Sequence, residues 1–332
     1  MRAVSPKTLN PISSREMLRR TALAARRDAF LASLRSPSDP SRYKRYTATP
    51  LRYAGGKSLG VGFVLEKIPS SVKRVVSPFL GGGSVEIAVA NELGLPVVGY
   101  DIFDVLVNFW QVVLSDPDAL YERLSSFKPT RAEFARVKKR LKTHWDGSDP
   151  LDPLDLAAHY YFNHNTSYGP HFLGWPSSVY LQPERYRHMI EKLRDFRAPN
   201  LTVECASFEE IMGKHRDDFL YLDPPYFLDA DSPDSKTFVG MYPHRNFPIH
   251  HKGFRHDLLR DLLKEHRGGF VLSYNDCSAG RSWYAEYDMA TPEWQYTFSQ
   301  GDTRIGENRQ ANNGGSHVKK SHELIIWSPP KN

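Results

Sequence analysis

Short apolar runs alternate with helical stretches along much of this chain. Arg74-Val75-Val76 reads as a strand, and Gly81-Gly82-Gly83 leads from it into an apolar helix from Ser84 to Leu93, stopped by Gly94. Val97-Val98-Gly99-Tyr100 is a second strand that ends at Asp101. Leu201 to Cys205 is a third, and Phe219 to Leu222 a fourth that ends at Asp223. Phe270 to Leu272 and Leu324 to Trp327 complete six. Unbroken apolar strands separated by helices predict an α/β fold with a largely parallel sheet covered on both faces. The stretch between the second and third strands, about residues 110–200, is helical, aromatic and basic, and reads as an insertion or second subdomain. Upstream, Ser14 to Leu34 has helical character, a Pro-containing loop follows, and the main domain is expected to start near Thr47.

Composition narrows the class. The 332 residues are 40% hydrophobic and 25% charged, an ordinary globular balance. No apolar run approaches bilayer-spanning length, which argues against a transmembrane protein. Two cysteines, Cys205 and Cys277, are too few for a disulfide framework or a four-cysteine zinc site. His244, His250, His251 and His256 follow no standard ligand spacing, and no metal is expected. Residues 1–46 carry eleven of the 44 Lys and Arg but only three of the 38 Asp and Glu, so the formal +6 resides in this basic N-terminal extension. Three readings stay open for it: a solvated terminus, an arm that contacts phosphates, or a targeting segment.

Three motifs carry candidate chemistry. Pro78-Phe79-Leu80-Gly81-Gly82-Gly83-Ser84 joins a strand to a helix, and its glycines leave room for a ligand at the helix start. Asp101 stands at the tip of the next strand, where a carboxylate can accept from the hydroxyls of a ribose. A tight turn with a strand-end acid is the alternative, and the pattern is not that of a dinucleotide loop. Gly55-Gly56-Lys57-Ser58 resembles the end of a phosphate-binding loop, but Leu51 stands where that loop needs glycine. Asp223-Pro224-Pro225-Tyr226 follows an apolar strand directly. Two prolines stiffen the turn and donate no N–H, so Asp223 and the adjacent carbonyls form an acceptor-only cluster suited to an amino group. Tyr226 supplies a flat surface for a ring.

In this order, the motifs resemble those of the adenine-specific DNA methyltransferases, the family of the bacterial GATC methylase and many restriction-system enzymes. Leu51-Arg52-Tyr53-Ala54-Gly55-Gly56-Lys57 is similar to the family's opening segment, residues 78–84 to its cofactor loop, and Asp223-Pro224-Pro225-Tyr226 to its catalytic motif. Ser273-Tyr274-Asn275 resembles the strand after catalysis, and Glu323-Leu324-Ile325-Ile326 the last hairpin. The resemblance implies a Rossmann-like methyltransferase domain (47–110 and 200–332) with an inserted, mainly helical target-recognition subdomain (111–199). It implies S-adenosyl-L-methionine as cofactor and N6 of adenine in double-stranded DNA as acceptor. Asp223, Pro224, Pro225 and Tyr226 would be catalytic. Tyr53, Lys57, Pro78, Phe79, Gly81, Gly82, Gly83, Ser84, Asp101, Ser207, Phe208 and Asp223 would hold the cofactor. Ser207-Phe208 departs from the acid-aromatic pair of many members.

Neither cysteine sits in the Pro-Cys pair that cytosine-C5 methylation needs. Cytosine-N4 chemistry typically has Ser where Asp223 stands, so Asp223 favours adenine; cytosine-N4 or RNA methylation and an inactive DNA-binding module are the alternatives. Thr130-Arg131-Ala132-Glu133 is a capping box, and residues 128–145 hold seven Lys and Arg against one acid. A solvated face and a phosphate contact are both open for that run. The DNA contacts expected are Lys57, Arg131, Lys138, Lys139, Lys142, Asn163, Asn165, Tyr168, Arg309 and Lys319. A cognate restriction endonuclease is a candidate partner, with no membrane association and a monomeric or weakly dimeric state. The expected location is the cytoplasm, at the nucleoid, in a prokaryotic or viral setting, and the nucleus or an organelle in a eukaryote.

Overall fold

The computed structural model describes residues 13–37, 39–227, 253–292 and 323–331. Among these, seven strands form one sheet: β1 (Val75–Ser77), β2 (Val97–Asp101), β3 (Leu201–Cys205), β4 (Phe219–Leu222), β5 (Phe270–Asn275), β6 (Asp288–Ala290) and β7 (Glu323–Ser328). Their order is β3-β2-β1-β4-β5-β7-β6. Pairing is parallel from β3 to β5, and β7 runs antiparallel to both β5 and β6. The chain leaves β1 toward one edge and returns at β4 toward the other. The crevice beyond the carboxyl ends of β1 and β4 is therefore the switch point where open α/β sheets bind ligands. Every residue of β1, β4 and β5 is buried, which is why these strands are written as continuous apolar runs.

The helix after the glycines is α3 (Ser84–Ala88), continued by a wider π turn over Val89–Leu93 and ended by Gly94 in the left-handed region at φ 67°. Upstream of β1 stand α1 (Ser14–Leu34) and the short α2 (Val61–Leu65). Ser13 caps α1 by accepting from the Glu16 N–H at 3.3 Å. Leu23, Leu31 and Leu34 of α1, with Tyr43 and Tyr46, are buried in the main core. Arg19 donates to the Val72 and Ser71 carbonyls (2.7 and 2.8 Å), Arg27 to Ile68 (2.8 Å), and Arg35 pairs with Glu66. A solvated terminus does not describe residues 14–46: an apolar stripe and three arginines bind this stretch to the fold.

The insertion is helical as expected: α4 (Asp104–Ser115), α5 (Pro117–Ser125), α6 (Arg131–Trp145), α7 (Pro153–Asn165) and α8 (Pro183–Arg194). The expected start at 111 falls inside α4, whose Phe109 and Trp110 share a core with Tyr160 and Tyr161 of α7 and with β1, β2 and β3. Residues 156–167 are buried without a break, so α7 is the centre of the helical layer rather than a surface helix. The N-cap half of the capping box forms, with Thr130 Oγ1 accepting from the Glu133 N–H at 3.1 Å, while the Thr130 N–H donates to Lys128 O and the Glu133 carboxylate accepts from Arg136. The remaining helices are α9 (Phe208–Lys214), α10 (His256–Glu265) and α11 (Ser278–Trp283). Among the described residues, no helix is long and apolar enough to cross a membrane.

Candidate active site

The loop leaving β1 is held in a well-braced path. Gly81 and Gly83 take positive φ (48° and 65°), open to glycine at little cost. A Cβ on Gly82 would lie 2.5 Å from the Tyr53 Cβ, so Tyr53 and the loop are in van der Waals contact. The Leu80 N–H donates to Tyr100 O (2.8 Å) and the Trp110 indole to Gly81 O (3.0 Å). Asp101, at the tip of β2, accepts from the Gly81 N–H on one oxygen and the Phe103 N–H on the other, each at 3.0 Å. Burial pushes its pKa up, and these amides work against that. The Ile102 amide is a third backbone partner, and a carboxylate with about four acceptor sites still keeps capacity after these bonds.

Beside it, β4 delivers Asp223. Lys57 Nζ lies 2.8 Å from Asp223 Oδ1 and donates to Gly55 O at 2.9 Å. Lys57 is buried, and burial would lower its pKa; the carboxylates of Asp223 and Glu323 outweigh that and hold it as an ammonium. Burial raises the pKa of Asp223, with Lys57 in opposition. Lys57 Nζ also stands 5.0 Å from the centroid of the Tyr226 ring, whose hydroxyl donates to Glu323 Oε1. Glu86, one turn into α3, is buried and pushed up to about 8 by desolvation, although the Ser77 hydroxyl donates to it at 2.6 Å. The site thus sets the Lys57 ammonium among the acids Asp223, Glu323 and Glu86, with Asp101 and Arg255 on the lining of the same crevice.

A cavity of about 640 Å³ connects these groups. Tyr53, Lys57, the 78–84 loop, Asp101, Ser207, Phe208 and residues 223–226 all line it, so every cofactor and catalytic residue expected from the sequence comes to one place. Phe79, Phe208 and Phe254 form one aromatic wall, with ring centroids 5.0–5.6 Å apart. Ser207 caps α9 by accepting from the Glu210 N–H. Ile102, also in the lining, is 59% exposed. Phe254, Ile102, Glu86 and His164 were not singled out from the sequence. A lone acid inside the apolar 84–93 helix was the available signal for Glu86; Phe254 and His164 depend on long-range packing.

The expected DNA contacts divide. Arg131, Lys139 and Lys142 are exposed on α6. Lys138 is half-buried, donates to Gly174 O at 2.8 Å and stands over the Trp175 ring. Tyr168 and Trp175 are 75% and 79% exposed, and the Tyr168 N–H donates to Trp175 O at 2.8 Å, closing a small projecting loop. Asn163 and Asn165 need correction: both are buried, so neither meets a base edge here. Asn163 Oδ1 accepts from the Leu173 N–H, and Asn165 binds the Arg52 N–H and Pro50 O. Lys57 is likewise corrected as a DNA contact, being enclosed beside Asp223. Arg309, Lys319, His244, His250 and His251 lie outside the described residues. His256 is buried, its Nδ1 hydrogen-bonded with the Tyr274 hydroxyl at 2.5 Å.

A parallel sheet whose switch-point crevice holds a glycine loop, a strand-end acid and an acceptor-only turn beside a cation defines an α/β methyltransferase. The chain belongs to the D12 class N6 adenine-specific DNA methyltransferase family, whose model matches residues 53–298. Its activity is therefore adenine methylation of DNA with a methyl donor. It is 27% identical to the Type II methyltransferase M.MjaIII of Methanocaldococcus jannaschii over 53% of this chain and 68% of that protein. It is 23% identical to the Type II methyltransferase M.FokI of Planomicrobium okeanokoites over 67% of this chain, and 22% identical to the modification methylase StsI of Streptococcus sanguinis over 86%. These matches span 39% and 43% of the latter two proteins, less than half of each.

Proposed function

We propose that the chain transfers a methyl group from S-adenosyl-L-methionine to N6 of a target adenine in double-stranded DNA, with Asp223 as the group that acts on the acceptor. The observation that carries this reading is Asp223 at the carboxyl end of β4, on the same cavity as Asp101 and the 78–84 loop. The lining suits the donor. Asp101 keeps acceptor capacity for ribose hydroxyls, the Phe79–Phe208–Phe254 wall and exposed Ile102 suit a purine, and the surplus of carboxylates suits a sulfonium. When bound, this cofactor supplies an electrophilic methyl group.

Adenine N6 is a poor nucleophile because its lone pair is delocalised into the ring. Asp223 and the Pro224 carbonyl accept hydrogen bonds from its two N–H groups and draw the nitrogen toward tetrahedral geometry, freeing the lone pair; Asp223 is then the acceptor for the one proton that the methylated nitrogen gives up. Lys57 fixes the Asp223 carboxylate and opposes the burial that favours its neutral form. This is catalysis by positioning and electrostatics. The target leaves the base stack first, and Tyr226 is its platform. The exposed face of α6, with Arg131, Lys139 and Lys142, and the loop bearing Tyr168 and Trp175 supply the DNA contacts. The names of the relatives support a modification role beside an endonuclease of matching recognition sequence, in the cytoplasm. Transfer of labelled methyl to plasmid DNA followed by nucleoside analysis tests the reading: N6-methyladenine is expected, and N4-methylcytosine or label in RNA alone overturns it.

A further inference from the structure

Two polar residues outside the cavity lining meet the catalytic turn from behind. Asn275 ends β5 and Glu323 opens β7, and the two are register partners on the antiparallel pair, so their side chains share a face. Asn275 Oδ1 accepts from the Phe227 N–H at 3.0 Å, and its Nδ2 donates to Phe227 O at 2.8 Å, closing a two-point contact on the residue after Tyr226. Glu323 accepts from the Tyr226 hydroxyl. Glu323 is 1% exposed, and an acid placed that deeply is costly unless its partners repay it. Its partners include the Tyr226 hydroxyl on the acceptor turn and the charge of Lys57, which stands over the same ring.

A tyrosine on a proline-stiffened turn still rotates about its own side-chain bonds. A hydrogen bond at the hydroxyl fixes the ring's long axis, and the backbone contact from Asn275 fixes where the side chain departs. We propose that Glu323 and Asn275 are positioning residues that clamp the exit of the Asp223–Tyr226 turn and set the orientation of the Tyr226 ring for the displaced base. The proposal rests on the reading of Tyr226 as platform. The clamp touches neither the base nor the methyl donor; it acts through Tyr226 and Phe227.

Tyr226→Phe deletes only the hydroxyl, so it tests the clamp without a folding penalty comparable to loss of the ring. A buried hydrogen bond to a charged group is worth enough that losing the ring orientation it imposes should slow single-turnover methylation by about tenfold to about a hundredfold. Tyr226→Phe and Glu323→Ala should each show a loss of this size at saturating DNA and cofactor. Cofactor affinity by calorimetry should be unchanged, and the fluorescence rise of 2-aminopurine at the target position should be reduced. The double variant should be no slower than the slower single, since both remove one contact. Glu323→Gln, which keeps an acceptor oxygen, should recover most of the rate. Additive losses in the double variant, wild-type turnover in Tyr226→Phe, or Glu323→Gln as slow as Glu323→Ala each overturn the clamp. Tyr226→Ala separates the two layers: if it is slow while Tyr226→Phe is normal, the platform stands and the clamp falls; if it turns over at the wild-type rate, the platform reading itself is wrong and the clamp falls with it.

Discussion

Asp223 is asked to do something that its neighbour Lys57 also wants of it. The ammonium occupies one carboxylate oxygen at 2.8 Å, which opposes the upward push of burial and, in the proposed function, leaves the other oxygen for an amine. Asp223→Asn keeps the shape but replaces that acceptor with an amide, which has half the acceptor capacity and a competing donor. Methyl transfer should fall by at least about a hundredfold, a barrier change near 3 kcal/mol, with cofactor affinity by calorimetry retained. Substantial turnover would remove Asp223 from the proposed role. Glu86 makes a prediction about pH. Its folded pKa of about 8 lies above the ordinary 4.5. In the unfolded chain it ionises as pH rises through 4.5, while in the fold it stays neutral until about 8, so its contribution to stability is lost progressively across that window. Glu86→Gln removes this dependence. It should raise the melting temperature more at pH 8 than at pH 5, with a pH-dependent difference on the order of a few kcal/mol. Equal effects at both pH values would show that Glu86 ionises normally.

Among the elements, strands with a clear burial pattern were legible in the sequence. β4 falls at the residues read from the pattern because a strand covered on both faces leaves an unbroken apolar run, and β3 because it alternates, with Leu201 and Val203 buried and Thr202 and Glu204 exposed. The 84–93 helix was legible through its terminal glycines. β6 was not, since its three residues are only partly buried or exposed and carry no alternation. α9 and α11, of seven and six residues, are too short to show a helical period. Asn163 and Asn165 were expected among the DNA contacts as part of a polar-aromatic loop; they instead end α7, whose enclosure by α4, α5 and α6 turns their amides into internal struts. The Lys57–Asp223 contact joins residues far apart in sequence, and no local pattern announces it. Two predictions belong to this scale. Deleting residues 1–46 removes Leu23, Leu31, Leu34, Tyr43 and Tyr46 from the core, so the truncated chain should fail to fold or melt far below the full chain. A truncated chain with an unchanged melting curve would make α1 an accessory. Gly82→Val must displace Tyr53, and calorimetry should show cofactor affinity lost in a chain whose circular dichroism is unaltered; unchanged affinity would take the loop out of the cofactor site.

Over the whole molecule, positive charge serves two ends. Arg19, Arg27 and Arg35 are spent on the fold, while Arg131, Lys139 and Lys142 stand free of the core on α6. If the latter meet phosphates, replacing all three with Gln should reduce the slope of log affinity against log salt by about 2 to 3, at roughly 0.9 per phosphate neutralised. An unchanged slope would move the DNA footprint elsewhere. The pairing of β1 with β4 carries a broader consequence. The donor loop and the acceptor turn leave adjacent strands joined by backbone hydrogen bonds, with Val75 opposite Phe219 and Val76 opposite Leu220. Neighbouring strands lie about 4.8 Å apart, a spacing set by peptide chemistry and indifferent to side chains. The sheet therefore acts as a ruler for the transfer distance, independent of whichever helices and loops read the DNA. Drift in the recognition surface leaves that ruler untouched, so a lineage can change the sequence it marks without having to rediscover the reaction.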